Sequence, residues 1–129
     1  DVRVFDDATL RAAIAGAALG ARLMLYAEPG TTITIAAHVS LPAGLTARLA
    51  SDDEGATVDA GGASRHFVIG SEARLELHKV TLINGFSPVG GAVLLGATGG
   101  SLLLEHGAIL SSSSLYAGGA ILADAGAAA

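Results

Sequence analysis

Gly61-Gly62-Ala63, Gly90-Gly91-Ala92 and Gly118-Gly119-Ala120 are three copies of one tripeptide, separated by 29 and 28 residues. Around the last two copies the likeness spreads outward: Leu75 and Leu103, His78 and His106, and Leu82 and Leu110 recur at the same offset of 28. A period of this length marks a chain that stacks similar units, none of which can bury its apolar face alone. Short apolar runs separated by turns lie between the copies, among them His66 to Ile69, Arg74 to Leu77, Val80 to Ile83, Ala92 to Leu95 and Ser101 to Leu104. A sandwich also has short strands, but it has no reason to repeat a glycine pair at this interval. The fold expected is an all-β solenoid, a right-handed parallel β-helix of four or five coils. Gly61, Gly62, Gly90, Gly91, Gly118 and Gly119 would form its tight corners.

Working upstream, Val2 to Phe5 alternate like a strand, and Asp6 and Asp7 offer oxygens to the free amides of a helix start. Leu10, Ile14 and Ala17 or Ala18 then fall on one helical face, Arg11 points away, and Gly20 supplies a left-handed stop. From Leu23 onward the period is two. Residues 1–129 therefore read as a single domain, with a cap strand and helix in 1–20 and coils in 21–129. An amphipathic helix laid across the first coil would cover its strand edges and open core. Asp124 to Ala129 offers only Gly and Ala after one acid, so further coils of the same chain or a neighbouring subunit are expected to stack there.

Apolar residues make up 51% of the chain, yet only three Phe and two Tyr are aromatic, with no Trp and no Cys. Such a core must be narrow and filled by Leu, Ile, Val and Ala. The net charge of −5 and seven scattered bases give no basic patch for nucleic acid. No apolar stretch reaches the ~18 to 20 residues of a membrane helix, so no membrane insertion is expected. Without Cys there is neither a disulfide scaffold nor a thiolate metal site.

Thr9-Leu10-Arg11-Ala12-Ala13-Ile14 resembles the LREAI helix that opens many proteins of the pectin-lyase-like β-helix superfamily, including surface proteins with a CSLREA domain; Ala12 stands where that motif has Glu. The stretch from Thr57 through Asp59, Gly61 and Gly62 to Ile69 resembles their first full coil. Leu75 through Leu82 and Asn84 to Val93 is similar to their repeating coil and to that of chlamydial polymorphic outer-membrane proteins. Gly118 to Ile121 matches the GGA motif of the latter, but their FxxN motif is absent. The resemblance implies a β-helix at a cell surface or outside the cell. It fixes no activity, because the superfamily holds lyases, hydrolases, tailspikes and adhesins.

Few residues suggest chemistry. Asp52, Asp53, Glu54 and Asp59 are hard oxygen donors that suit Ca²⁺, but they lack a regular ligand spacing and read as a solvated loop. Arg65, Arg74 and Lys79 are the candidates near the acids for the base that a lyase of this superfamily would use, and Arg65, six residues after Asp59, could share a face with it. His78 and His106 would stack one coil apart, with too few partners for a metal. Thr31, Thr32 and Thr34 would form an ice-binding face only if repeated on every coil, and the corresponding later positions carry Leu, Glu and His. Phe86 and Tyr116, in corner segments of neighbouring coils, are candidate platforms for sugar stacking, and Ser111 to Ser114 reads as a loose corner. No catalytic residue, metal or cofactor is implied. The expected function is a non-catalytic structural or adhesive module of an extracellular or cell-surface protein or filament. The alternative is a carbohydrate-binding or pectate-lyase-like polysaccharide-cleaving module, with glycans as partners.

Overall fold

Strands only two to five residues long cannot bury an apolar face alone, and here each pairs with a strand of a neighbouring coil. The structure is a computed structural model that describes residues 2–18, 20–89, 91–95, 99–110, 113–117 and 121–123. Its elements are β1 (Val2–Arg3), α1 (Asp7–Ala15), β2 (Arg22–Tyr26), β3 (Thr32–Thr34), β4 (Val39–Leu41), β5 (Thr46–Ala50), β6 (Ala56–Asp59), β7 (Phe67–Ile69), β8 (Arg74–His78), β9 (Val80–Ile83), β10 (Phe86–Val89), β11 (Val93–Leu95), β12 (Ser101–Glu105), β13 (Ala108–Leu110), β14 (Ser113–Ala117) and β15 (Ile121–Ala123).

All pairings are parallel, and they join strands of successive coils. The first sheet runs β1-β2-β5-β8-β12, the second β3-β6-β9-β13 and the third β4-β7-β11-β15. A fourth, two-stranded sheet, β10-β14, is inserted between the second and third in the last two coils. The chain is thus a parallel β-solenoid of about four turns with one short helix. Alternate side chains point inward and stack in columns: Leu25, Leu49 and Leu77 in the first sheet, Ile33, Val58 and Leu82 in the second, and Val39, Phe67 and Val93 in the third. Each of these is at most 3% exposed, which makes one continuous core.

The helix begins as its sequence suggests. Asp6 is the N-cap, its Oδ1 accepting from the Thr9 amide at 2.8 Å, while Thr9 Oγ1 accepts from the Asp6 amide at 3.1 Å. The Thr9 amide first, and then the Thr9 hydroxyl, which donates to the same oxygen at 2.8 Å, hold the Asp6 carboxyl below the ordinary carboxylate range. Leu10 and Ile14 are buried in the same core as the first coil. Two expectations change. The helix stops at Gly16, four residues before Gly20, and Arg11 does not point away: it donates to Asp7 and to the carbonyls of Ala37 and His38, tying the helix to the first coil.

Gly20 instead belongs to a corner column. Gly20, Gly44, Glu72 and Gly99 each stand two residues before a strand of the first sheet, and all have positive φ, 74°, 78°, 57° and 79°. Every coil makes the same left-handed turn there, which disfavours a Cβ by about 1 to 2 kcal/mol. Glu72 carries that strain, and the entropy Gly loses on folding offsets part of it. Glu72→Gly is therefore expected to raise stability by about 0.5 kcal/mol in a urea titration; a loss would mean that the Glu72 side chain supplies a compensating contact.

The repeat register also differs from the glycine spacing. Leu75 pairs with Leu102, not Leu103, His78 with Glu105, not His106, and Leu82 with Ile109, not Leu110. Between the last two coils the offset on these sheets is 27. It returns to 28 from Val89 onward, where Val89 pairs with Ala117 and Val93 with Ile121, because the pairing of β10 with β14 shifts register between Ser87–Ser114 and Val89–Ala117. One extra residue in β14 absorbs the difference, as a bulge does. Ser113 and Ser114, expected in a loose corner, lie in that strand; Ser111 and Ser112 lie outside the described residues.

Gly61 and Gly62, with φ of 66° and 75°, turn the chain after β6, and neither stands in register with Gly91. The Gly62 amide donates to the Asn84 carbonyl at 2.7 Å, whereas the Ala92 carbonyl, beside Gly91, accepts from His66. Gly62 and Gly91, 29 residues apart, therefore stand at opposite ends of one corner. Gly90, Gly118 and Gly119 lie outside the described residues. The same register stacks Thr32, Thr57 and Thr81 in one outward column of the second sheet, which the assumed offset did not reveal. The column ends in register with Ala108, and its outward neighbour carries Thr34, Asp59 and Ile83 in turn, so no threonine face results.

Candidate functional site

The outward residues of the first sheet form a grid. Reading from β2 to β12, its columns are Arg22, Thr46, Arg74 and Ser101; Met24, Arg48, Glu76 and Leu103; and Tyr26, Ala50, His78 and Glu105. Coils are about 4.8 Å apart in this direction, so arginine side chains can span one or two of them. Glu76 is the hub. Its Oε1 accepts from Arg22 at 2.9 Å and lies 3.5 Å from Arg48, and its Oε2 accepts from Arg74 Nε at 2.8 Å. Arg48 continues to Glu105 at 2.9 Å, and Arg74 donates to Ser101 Oγ at 3.2 Å.

Arg22, Glu76, Arg48 and Glu105 thus form one ion-pair path across all four coils. The carboxylate of Glu76 is only 9% exposed, while Arg22 and Arg74 are about half open to solvent. The Arg74 hydrogen bond, with Arg22 adding to it, holds the Glu76 carboxyl below its usual range against the opposing effect of burial. Three of the seven basic residues meet two acids here, which leaves a local formal excess of positive charge on a chain of net charge −5. His78 and His106 border this face with rings 5.4 Å apart and edge to face, and His78 Nδ1 lies 3.7 Å from Glu105.

Glu76→Gln is expected to cost about 1 to 2 kcal/mol, since charged hydrogen bonds are lost but partly exposed arginines recover water. The lowered carboxyl makes its contribution fully present above the ordinary value of 4.5 and lost as pH falls through the lower folded value. Added salt should narrow the gap between wild type and variant in urea titrations. Equal stabilities at low salt would show that the path contributes nothing.

The residues singled out in the sequence fall at two corners rather than one site, with Arg65 and Phe86 made neighbours by the Phe86 amide's bond to the Ser64 carbonyl and the Arg65 bond to Ser87. Asp52 and Asp53 stand at the corner before β6, and Asp59 stands at its far end. Asp52 Oδ2 accepts from the Tyr26 hydroxyl at 3.1 Å, and Asp53 has a left-handed φ of 51°. Desolvation first, and then the bond to Asp52, raise the Tyr26 phenol above its ordinary value. Asp59 Oδ1 accepts from the Gly61 amide at 2.8 Å and from Asn84 Nδ2 at 3.1 Å, and these two bonds lower its pKa. Arg65 donates to Ser87 Oγ at 2.6 Å. Among the described residues, no three His, Asp or Glu side chains are placed to hold a metal ion.

Phe86 opens β10 opposite Ser113, and Tyr116 lies three residues further along β14, so the backbone register does not set the two aromatics side by side. A separate cleft of about 530 Å³ runs between α1 and β4, lined by Ile14, Ala17, Val39 and Pro42 with Arg11 and His38. It contains none of the residues expected to bind.

No protein-family model, characterised protein or solved structure matches the chain. Its function must be argued from its own geometry. The ion-pair path was not legible from the repeat because its partners lie in different coils, up to 57 residues apart. One signal was available: Arg48 and Glu76 are opposite charges 28 residues apart, and they are register partners.

Proposed function

We propose that this chain is a non-catalytic structural or adhesive module of an extracellular or cell-surface protein, built as a β-helix of the pectin-lyase-like type. The ion-pair path carries this reading. It commits the charged side chains of the broadest face to one another across four coils, which suits a stiff rod that presents its sides. The last strands of the three main sheets, β12, β13 and β15, are edge strands among the described residues, and further coils or a neighbouring subunit are the partners proposed at that end. Helix α1 and β1 serve as the opposite cap.

The test combines light scattering on the 129-residue chain with an array of neutral and acidic glycans and an assay for unsaturated products from polyuronates. End-to-end oligomers, or glycan retention without turnover, would support a structural or adhesive role. Turnover would replace this reading with the carbohydrate-cleaving one.

A further inference from the structure

We infer that His66 is an acid-sensitive latch which closes the corner between the second and third sheets from inside. The residue is fully buried. Its Nε2 lies 3.0 Å from the Val58 carbonyl and 2.8 Å from the Ile83 carbonyl, so one N–H is shared between strand ends of two successive coils. Two carbonyl acceptors require Nε2 to carry the proton, which makes Nδ1 the bare nitrogen. Nδ1 is buried and has no hydrogen-bond partner. The neutral ring is therefore well held, whereas the imidazolium would point a second N–H at nothing.

The surroundings offer little compensation. Of the segments around the ring, β6 contributes Asp59, and the corner itself contributes Arg65. Strands β7, β9 and β10 hold no titratable side chain. Asp59 favours the protonated ring, but its Oδ1 is engaged by Gly61 and Asn84, and burial is the larger influence and lowers the His66 pKa. Protonation thus selects a conformation in which the ring has left the core. Val58 and Ile83 then lose their inner donor, and the segment 60–66 is freed.

The corner is built to open locally. Gly61 and Gly62 both occupy left-handed backbone, and a Cβ at either would meet nothing within 4 Å. The segment is joined to the next coil through four backbone bonds: Ala60 to Ile83 at its start, then Gly62 to Asn84, Phe86 to Ser64 and His66 to Ala92. A ring with the ordinary pKa of about 6.5 in the open state favours opening tenfold per pH unit below that value, until the closed-state pKa is reached. Above pH 6.5 the closed form gains no more.

The experiment is amide hydrogen exchange on the whole chain at pH 7.5 and 5.0, corrected for intrinsic rates. Protection at Gly62, His66 and Phe86 is expected to fall by up to about 30-fold, while amides of β2 and β5 hold. The variant His66→Gln, which can donate to the same carbonyls but cannot titrate, should lose this dependence. Unchanged protection, a uniform fall over all coils, or a persisting dependence in His66→Gln would overturn the latch. If that variant does not fold, the wild-type imidazole resonances decide: titration of His66 near its ordinary pKa with the corner still protected would also overturn it.

Discussion

Gly55→Ala is expected to destabilise the fold by at least about 3 kcal/mol, enough to unfold much of the population of an ordinary domain in mild urea. Gly55 has a φ of 82°, where a Cβ costs about 1 to 2 kcal/mol. The larger effect is steric: an added Cβ would overlap the carbonyl oxygen of Lys79 in the next coil and lie 3.1 Å from its carbon. That oxygen is fixed because it accepts from the Ala56 amide at 3.1 Å, and the Gly55 carbonyl accepts from Gly30 at 2.8 Å. Moving either strand end therefore loosens three coils at once. Gly61→Ala separates the two causes, since Gly61 has a φ of 66° but open space around it. It should lose only the strain, about 1 to 2 kcal/mol. Equal losses from the two substitutions, read from urea midpoints at a common slope, would refute the tight coil contact at Gly55.

The contrast between Gly55 and Gly61 also explains what could be read in advance. Glycine spacing identified a solenoid because corners need glycine wherever the chain turns, and alternation located most strands. Register was harder to read. Leu102, Leu103 and Leu104 form an unbroken apolar run, so either of two one-residue registers would appear to bury leucines, and a slip of one exchanges inside for outside. Burial decides it: Leu102 is 6% exposed and faces inward, whereas Leu103 lies in the outward column. The extra residue in β14 then restored an offset of 28 from Val89 onward and made the assumed register look uniform.

The candidate site was less legible for the same reason. Acids close in sequence, Asp52 and Asp59, are parted by the length of β6, while Arg22 and Glu76 meet because their strands are stacked two coils apart. In a solenoid, neighbours on a face are one coil apart, and any error in coil length scatters them. His66 shows a second limit. A histidine between a glycine corner and an apolar strand looks like a surface residue until the fold turns it inward onto two carbonyls.

Phe67→Ala should be the most costly core substitution, at about 3 to 5 kcal/mol. Phe67 is 1% exposed and occupies the middle of the inward column between Val39 and Val93, where its neighbours are much smaller. A ring there fills the width of the second coil, which the Ala-rich residues nearby cannot do: Ala47, Ala56 and Ala60 are all buried in the same turn. Collapse onto the vacated space is resisted because Phe67, Val68 and Ile69 are paired on both edges, to β4 and to β11. Phe67→Leu, which restores most of the volume, should lose much less, about 1 kcal/mol. Each coil packs against its nearest neighbours, so the loss of amide protection in Phe67→Ala should centre on β4, β7 and β11 and weaken toward β12. A loss below about 1 kcal/mol, or one felt equally in every coil, would show that the interior is not packed around this ring.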